Sequence, residues 1–207
     1  MQHAALGFRA HSGWTTLVAM SLEEGSPHVL VRERPHLVKA FTYEFRQPYH
    51  TAKKKPAADA GEFIAGMRAE ARALAHQAIR SVQATLQRQR YQVKCCGLLL
   101  SSAKPLPDLP QILASHALIH AADGELFRES LLHSSERCGL EMFTVKESEL
   151  FDRASPALQL GSEELMRRLI QLGTGLGSPW TQDEKLATLA AWLSFARLDD
   201  QSRTLAK

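Results

Sequence analysis

The sequence predicts an α/β fold in which antiparallel hairpins at the N-terminus join a mixed sheet that carries helices on both faces. Two observations predict it. Between residues 4 and 38, glycines punctuate strand-like runs rich in aromatic and β-branched residues. Helix-like and strand-like segments then alternate, and an amphipathic helix that begins at Thr181-Gln182-Asp183-Glu184-Lys185 comes last.

Hydrophobic periodicity assigns the later elements. Apolar residues recur at helical spacing from Ile64 to Leu86, which predicts a long crossover helix. Residues 93–100 are nearly all apolar, as in a central strand covered on both faces. A second long helix is predicted over residues 110–138, with Gly124 as a candidate kink. A strand over residues 140–145 and a helix from Ser162 follow.

The pattern predicts one domain over residues 1–198 and a C-terminal tail over residues 199–207. Residues 42–58 carry two prolines and three lysines, so we expect a long exposed loop there. No internal repeat divides the chain.

Bulk composition restricts the class of protein. The 207 residues carry a net charge of +3, with 44% hydrophobic and 23% charged residues, which excludes disordered and fibrous classes. No apolar run approaches the roughly 18 residues that span a bilayer, and no signal pattern opens the chain. We therefore expect a cytoplasmic protein with no membrane partner.

The cysteines do not predict a metal site. Cys95 and Cys96 are neighbours on a predicted strand, so their side chains point to opposite faces, and Cys138 lies elsewhere in the sequence. We interpret all three as reduced residues of the core.

A family resemblance begins in the first hairpin. Leu6-Gly7-Phe8-Arg9, with Ser12-Gly13 and a Thr-rich strand after it, resembles the first hairpin of the crossover-junction resolvases of the ribonuclease H-like superfamily. Residues 185–190 lie where that family has an Asp-Ala-Leu-Ala run. The resemblance implies a three-layer ribonuclease H-like fold, and carboxylates of strand one, a central strand and the last helix that hold two divalent ions.

The residues at those positions depart from the family. Arg9 stands where strand one should carry an Asp, and the acid of the central strand falls near Ser101-Ser102. The last helix offers Gln182 and Lys185 at the expected offsets, with Asp183 and Glu184 adjacent. A guanidinium repels a metal ion, so we expect the usual two-metal centre to be lost.

If the fold is correct, several of these polar side chains converge where parallel strands end. Arg9 and His11 leave strand one, Ser101 and Ser102 leave the central strand, and Asp183 begins the last helix. The preferred interpretation is an Arg9–Asp183 ion pair. The alternative assigns catalytic roles to His11 and Asp183.

A second polar cluster lies on the helix predicted over residues 110–138. His116 and His120 are four residues apart and share one helical face. They could ligate zinc with a third ligand such as His11, act as an acid–base pair with His120 catalytic, or bind phosphate. The preferred interpretation is hydrogen-bonded packing, so we assign no metal ligand and no cofactor. The other polar residues of this cluster are Ser115, Asp123, Glu125 and Arg128.

The expected loop supplies a third candidate, a binding segment. Tyr49 and His50 precede Lys53-Lys54-Lys55 and are the best candidates for an exposed binding loop, although a basic run this short is less dense than most nucleic-acid footprints. The preferred interpretation is an ordinary solvated surface loop, and a binding segment is the alternative.

Three functional hypotheses follow. The first is a degenerate ribonuclease H-like protein that acts as a binding or scaffold module, with nucleic acid or nucleotide as the partner that the resemblance allows. The second is a divergent hydrolase or nuclease that uses His11, His116, His120 and Asp183. The third is an interaction protein that works as a homodimer.

Overall fold

The structure is a computed structural model that describes residues 1–101 and 105–205, with side chains described as far as residue 198. Its strands are β1 (Gln2–His11), β2 (Trp14–Glu23), β3 (Ser26–Glu33), β4 (Tyr91–Leu100) and β5 (Glu141–Lys146). Its α-helices are α1 (Tyr43–Arg46), α2 (Pro48–Ala52), α3 (Ala57–Arg88), α4 (Leu109–Ala114), α5 (His116–Arg137), α6 (Leu150–Leu158), α7 (Ser162–Leu172) and α8 (Gln182–Leu205).

The strands form one mixed sheet in the order β3-β2-β1-β4-β5. The two hairpins pair β1, β2 and β3 antiparallel, whereas β4 and β5 extend the sheet parallel to β1. The crossover between β1 and β4 includes α3, and the crossover between β4 and β5 includes α5. The predicted arrangement of hairpins joined to a mixed sheet is therefore confirmed.

Helices cover both faces of the sheet, which gives three layers. Cys96 belongs to the core on the side of α3 and α5, and Cys95 belongs to the core on the side of α6 and α8. Both thiols are fully buried, and burial raises the pKa of Cys96 far above its ordinary value. The predicted opposite orientation of this pair is confirmed.

The last helix lies directly on the two central strands. A Cβ added to Gly7 of β1 would lie 1.8 Å from the carbonyl oxygen of Ala187, and one added to Gly97 of β4 would lie 2.2 Å from that of Ala190. Only glycine permits so close an approach of helix backbone to sheet. This packing brings the N-terminus of α8, with Asp183, to the carboxyl end of β1.

The segment predicted as an exposed loop over residues 42–58 contains α1 and α2 instead, so that prediction is wrong in part. Pro48, Tyr49 and Ala52 are buried and pack α2 against α3 and α5. Pro48 stands at the first helical position, where its fixed φ and missing N–H are tolerated. The prolines therefore begin helical turns, and the apolar side chains between them join the core.

The helix predicted over residues 110–138 is divided at Ser115 and continuous through Gly124. Ser115 is extended and its Oγ accepts a hydrogen bond from the backbone N–H of Leu118 at 3.4 Å, so it caps α5. Gly124 instead accommodates Arg128, whose guanidinium would lie 3.0 Å from a Cβ at that position. The division makes His116 the first residue of α5.

Across the part of the chain that the structure describes, every helix is too short or too polar to cross a membrane.

Candidate functional site

The first cluster, which we call the Arg9 cluster, comprises Arg9, His11, Glu147 and Asp183. Arg9 and His11 are at the end of β1, Glu147 opens the 3-10 turn directly after β5, and Asp183 is in the first turn of α8. The parallel strands β1 and β5 end at the same edge of the sheet, so these side chains meet there.

Arg9 binds both carboxylates of this cluster. Its Nε and Nη2 donate to the two carboxylate oxygens of Glu147 at 3.0 and 2.8 Å, and its Nη1 contacts Oδ1 of Asp183. Hydrogen bonding to Glu147 raises the pKa of the Arg9 guanidinium above its ordinary value. The predicted contact between Arg9 and Asp183 is therefore present, and Glu147 is a partner that the sequence did not reveal.

His11 lies against the same carboxylate. Its Nε2 is 3.3 Å from Oδ1 of Asp183, in a geometry that does not form a hydrogen bond, and its ring stacks on Trp14 at 4.2 Å between centroids. Burial lowers the pKa of His11 below its ordinary value of 6.5, and attraction to Asp183 only partly opposes this effect. The imidazole is therefore favoured in its neutral form.

Glu184, the other acidic residue in the first turn of α8, is also fully engaged in hydrogen bonds and an ion pair. Glu184 accepts hydrogen bonds from the N–H and Oγ1 of Thr181 at 2.7 and 2.6 Å, as the acidic residue of a capping box does. Arg34 adds bonds of 2.9 and 2.7 Å to the same carboxylate. Burial acts to raise the pKa of Glu184, but these bonds outweigh it, so the pKa lies below its usual range.

Ser101 is the one of the two serines proposed for this edge that lies within the described residues. Ser101 directly follows β4 and is exposed. The pairing of Phe8 with Leu98 in the parallel ladder places Ser101 at the same edge as His11. Ser102 lies outside the described residues.

The second cluster, which we call the histidine cluster, comprises His50, His116 and His120. His50 is in α2, and the other two are one turn apart at the start of α5. Its ring centroids are separated by 4.4 Å for His50–His120, 4.5 Å for His116–His120 and 5.5 Å for His50–His116. His11, the third ligand that the sequence analysis suggested, belongs to the Arg9 cluster, so His50 takes that place.

Asp123 is a buried carboxylate that binds one member of the histidine cluster, His50. Its side chain is 3% exposed, its Oδ2 lies 2.5 Å from Nδ1 of His50, and its Oδ1 accepts the backbone N–H of Tyr49 at 2.7 Å. Burial raises the pKa of Asp123 above its ordinary value, although the bonds from Tyr49 and His50 oppose the shift. Asp123 thus ties α2 to α5 and fixes the orientation of His50.

Two further residues proposed on α5 bind each other. Nε of Arg128 donates to Glu125 at 2.9 Å, and only 10% of the Arg128 side chain is exposed. Arg128 is therefore occupied by an ion pair along its own helix, which leaves little of it available to a phosphate.

The proposed binding segment is exposed in part. Tyr49 is buried, and burial is the main cause that raises the pKa of its phenol. Lys53 and Lys54 are exposed, and Nζ of Lys54 lies 5.7 Å from the ring centroid of Tyr43. Nζ of Lys55 lies 4.5 Å from the ring of Phe63. The lysines thus stay at the surface, whereas Tyr49 belongs to the core.

Comparisons with known proteins identify the architecture. No family model matches the chain, and no curated protein matches it. The solved structure described as "T. thermophilus RuvC in complex with Holliday junction substrate" aligns with a TM-score of 0.55 at 12% identity, covering 96% of each chain. The structure of Thermus thermophilus RuvC aligns with a TM-score of 0.54 at 9% identity, again over 96% of each chain. The fold is ribonuclease H-like.

The ribonuclease H-like fold implies two divalent ions at the place where the Arg9 cluster lies, and the residues present do not fit them. A two-metal site needs carboxylates whose oxygens are free to coordinate. Here the cation at the strand-one position is itself the partner of Glu147 and Asp183.

The sequence did not reveal Glu147 as a site residue, and it did not link His50, which was named for the binding segment, to the histidine cluster. Glu147 follows a predicted strand, which was a signal that it lies at the carboxyl edge of the sheet. His50 carried no signal that links it to α5, because only packing of α2 brings the two together.

Proposed function

We propose that this chain is a nucleic-acid-binding module of the ribonuclease H-like fold, in which an ion-pair network takes the place of the two-metal centre. The observation that carries the proposal is the pairing of Arg9 with both Glu147 and Asp183. A guanidinium in this position supplies the positive charge that metal ions would otherwise supply, so the acids are neutralised without coordinating a metal.

Nucleic acid is the favoured partner because of a segment beside the Arg9 cluster, which we call the basic segment, residues 39–55. It holds five Lys or Arg residues and one Glu. It also holds Phe41 and Tyr43, two of the four exposed large hydrophobic side chains among the described residues. Exposed rings between cations suit the stacking of bases and the binding of a phosphate backbone.

The basic segment is held next to the end of β1. Nε of Arg46 donates to the carbonyl oxygen of Ser12 at 3.2 Å, and Ser12 directly follows His11. The guanidinium of Arg46 also lies 4.4 Å from the ring centroid of Phe41, which itself stacks on His36 at 4.5 Å. A nucleic-acid strand bound at this edge of the sheet would therefore contact the ordered rings and cations of the basic segment.

The fold supports the same class of partner by analogy. The neighbour RuvC is described in complex with a Holliday junction substrate, and the likeness extends over 96% of each chain. This chain differs from a nuclease in the charge at its strand-one position, so we propose binding without cleavage.

The test is fluorescence anisotropy with a labelled four-way DNA junction, a duplex and a single strand over a series of salt concentrations. The variant Lys53→Ala/Lys54→Ala/Lys55→Ala should weaken binding and reduce the slope of log K against log salt by up to about 3 for duplex arms. The matched control Arg153→Ala/Arg167→Ala/Arg168→Ala also removes three positive charges, from α6 and α7, and should leave binding unchanged.

Two results would overturn the proposal: no binding to any of the three DNAs at low salt, or equal losses in the two triple variants. Incubation of the junction with Mg²⁺ or Mn²⁺ should give no cleavage. Cleavage would favour the second candidate, a divergent hydrolase or nuclease.

The observation that favours this second candidate is the histidine cluster, in which His50 joins His116 and His120. His11 and Asp183 belong to the Arg9 cluster, so the four residues named from the sequence are divided between two places. Loss of phosphodiesterase activity in His120→Ala, with DNA binding retained, would select this candidate.

A further inference from the structure

The histidine cluster brings three imidazoles from two helices to one point. One nitrogen of each of His50, His116 and His120 can be chosen so that all three lie within 4.8 Å of one another. Three nitrogens around one zinc ion, each at about 2.0–2.1 Å and at tetrahedral angles, would be about 3.4 Å apart. His116 and His120 are exposed, so rotation of their side chains can close this difference without disturbing the core.

The buried partner of His50 provides a second, independent indication of a metal site. Ligating histidines almost always donate their other N–H to a carboxylate, a carbonyl or water, which fixes the tautomer and the ring orientation. Nδ1 of His50 is bound to Asp123 at 2.5 Å, which leaves Nε2 free to point away from the carboxylate.

Asp123 is itself held in one orientation. Its second oxygen, Oδ1, accepts the backbone N–H of Tyr49 at 2.7 Å, so the carboxylate is not free to turn. Only 3% of the Asp123 side chain is exposed. A buried carboxylate is costly unless it is paired, and a cation bound on the far side of His50 would supply additional positive charge.

We propose that His50, His116 and His120 bind one divalent transition-metal ion through three imidazole nitrogens, with Asp123 as the positioning residue. Imidazole ligands suit zinc and the neighbouring transition metals, not magnesium or calcium. Three protein ligands on an accessible surface leave a further coordination position open to water, as in zinc sites that bind substrate. This site is separate from the Arg9 cluster and does not depend on the proposed binding of nucleic acid.

The helix geometry agrees with the assignment. His116 and His120 are spaced by four residues, so both side chains stand on one face of α5, above the turn that carries Asp123. The cap by Ser115 fixes where this helix begins, and the packing of α2 on α5 fixes where His50 lies. Both helices are anchored in the core, which limits the reorganisation that metal binding would require.

The test is calorimetric titration of Zn²⁺ into the metal-free full chain without an affinity tag, with native mass spectrometry for stoichiometry. One equivalent should bind the parent chain, and His116→Ala and His120→Ala should each reduce affinity by more than the roughly 10- to 100-fold typical of outer-shell changes. His133→Ala, on the same helix but outside the cluster, is the matched control and should bind normally. X-ray absorption of the complex should show nitrogen ligands at about 2.0–2.1 Å.

Asp123→Asn tests the positioning role. If the amide oxygen keeps the bond from Tyr49, the amide NH₂ faces Nδ1 of His50 as a donor, which moves the imidazole proton to Nε2 and blocks the ligand atom. Affinity for Zn²⁺ should therefore fall about 10- to 100-fold while the metal-free variant stays folded. A structural role alone would lower the melting temperature without this loss of affinity.

Several outcomes would overturn the proposal: no stoichiometric Zn²⁺ in the parent chain, unchanged affinity in both exposed histidine variants, or the same loss in His133→Ala. If Asp123→Asn does not fold, the alanine variants of the exposed His116 and His120 still decide the question.

Discussion

Arg9 and Glu147 form a bidentate ion pair that joins the first strand to the turn after the last one, with N–O distances of 3.0 and 2.8 Å. The same guanidinium contacts Asp183 at the start of α8. One cation therefore holds together three elements that are far apart in the sequence.

Replacing the cation should destabilise the fold. In Arg9→Met, Glu147 and Asp183 face each other without the guanidinium, which is only 23% exposed, so we expect the free energy of unfolding to fall by about 1–3 kcal/mol. Urea denaturation at neutral pH measures this change. Arg153→Met removes an arginine that is 57% exposed on α6 and should stay within about 0.5 kcal/mol of the parent. Equal effects of the two substitutions would show that the Arg9 cluster does not stabilise the fold.

Reversing the charge should create an affinity for divalent ions. Arg9→Asp would place a third carboxylate beside Glu147 and Asp183, and such a group of oxygens binds hard cations. Electron paramagnetic resonance should show Mn²⁺ bound by this variant at millimolar or lower concentration, and Mn²⁺ should raise its melting temperature. Arg9→Asn has nearly the same shape without the charge and should not show these effects. Equal Mn²⁺ binding by the two variants would contradict the convergence of the acids.

Two glycine-to-alanine substitutions should have opposite effects, because Gly97 lies directly under α8 whereas Gly66 lies in open space on α3. Gly97→Ala would place a methyl group 2.2 Å from the carbonyl oxygen of Ala190, so we expect a loss of about 2–3 kcal/mol in the free energy of unfolding. Gly66→Ala, in α3, meets nothing within 4 Å and should stabilise by about 0.5–1 kcal/mol. Thermal and urea denaturation measure both, and a neutral Gly97→Ala would mean that α8 lies farther from β4.

His11 predicts a pH dependence of stability. Its pKa is lowered in the folded protein by burial, so the unfolded chain takes up the proton first as the pH falls. The contribution of the neutral imidazole is fully present above about pH 6.5 and is lost as the pH falls from there through the pKa in the folded state. His11→Phe retains a ring beside Trp14 and cannot titrate, so its stability relative to the parent should improve on acidification.

This dependence is measured by urea denaturation of both proteins between about pH 8 and pH 5. His28→Phe, at an exposed position on β3, is the control and should follow the parent. A constant difference between His11→Phe and the parent across the range would contradict the inferred direction of the shift.

Much of the fold was predictable because it depends on local periodicity. The apolar spacing from Ile64 to Leu86 and the apolar run that includes Cys95 and Cys96 specify a covered helix and a covered strand in any context. The order of these elements then leaves few sheet topologies. The segment around Tyr49 was misjudged, because two prolines and three lysines obscure a short buried face that forms only against α3 and α5.

The candidate sites show where prediction from sequence stops. Arg9 at the end of a strand and Asp183 at a helix N-terminus were visible as local patterns, so their contact followed from the fold. His50 and His120 are seventy residues apart and share no periodic signal.

The elements, their order and the presence of Arg9 near the end of the first strand are consequences of residue types and their spacing along the chain. The meeting of Glu147 with Arg9, and of His50 with His116 and His120, is a consequence of how helices pack on the sheet. The physical reason is range: propensity and periodicity act over a few neighbouring residues, whereas these contacts arise only once burial of the core has fixed distant segments side by side.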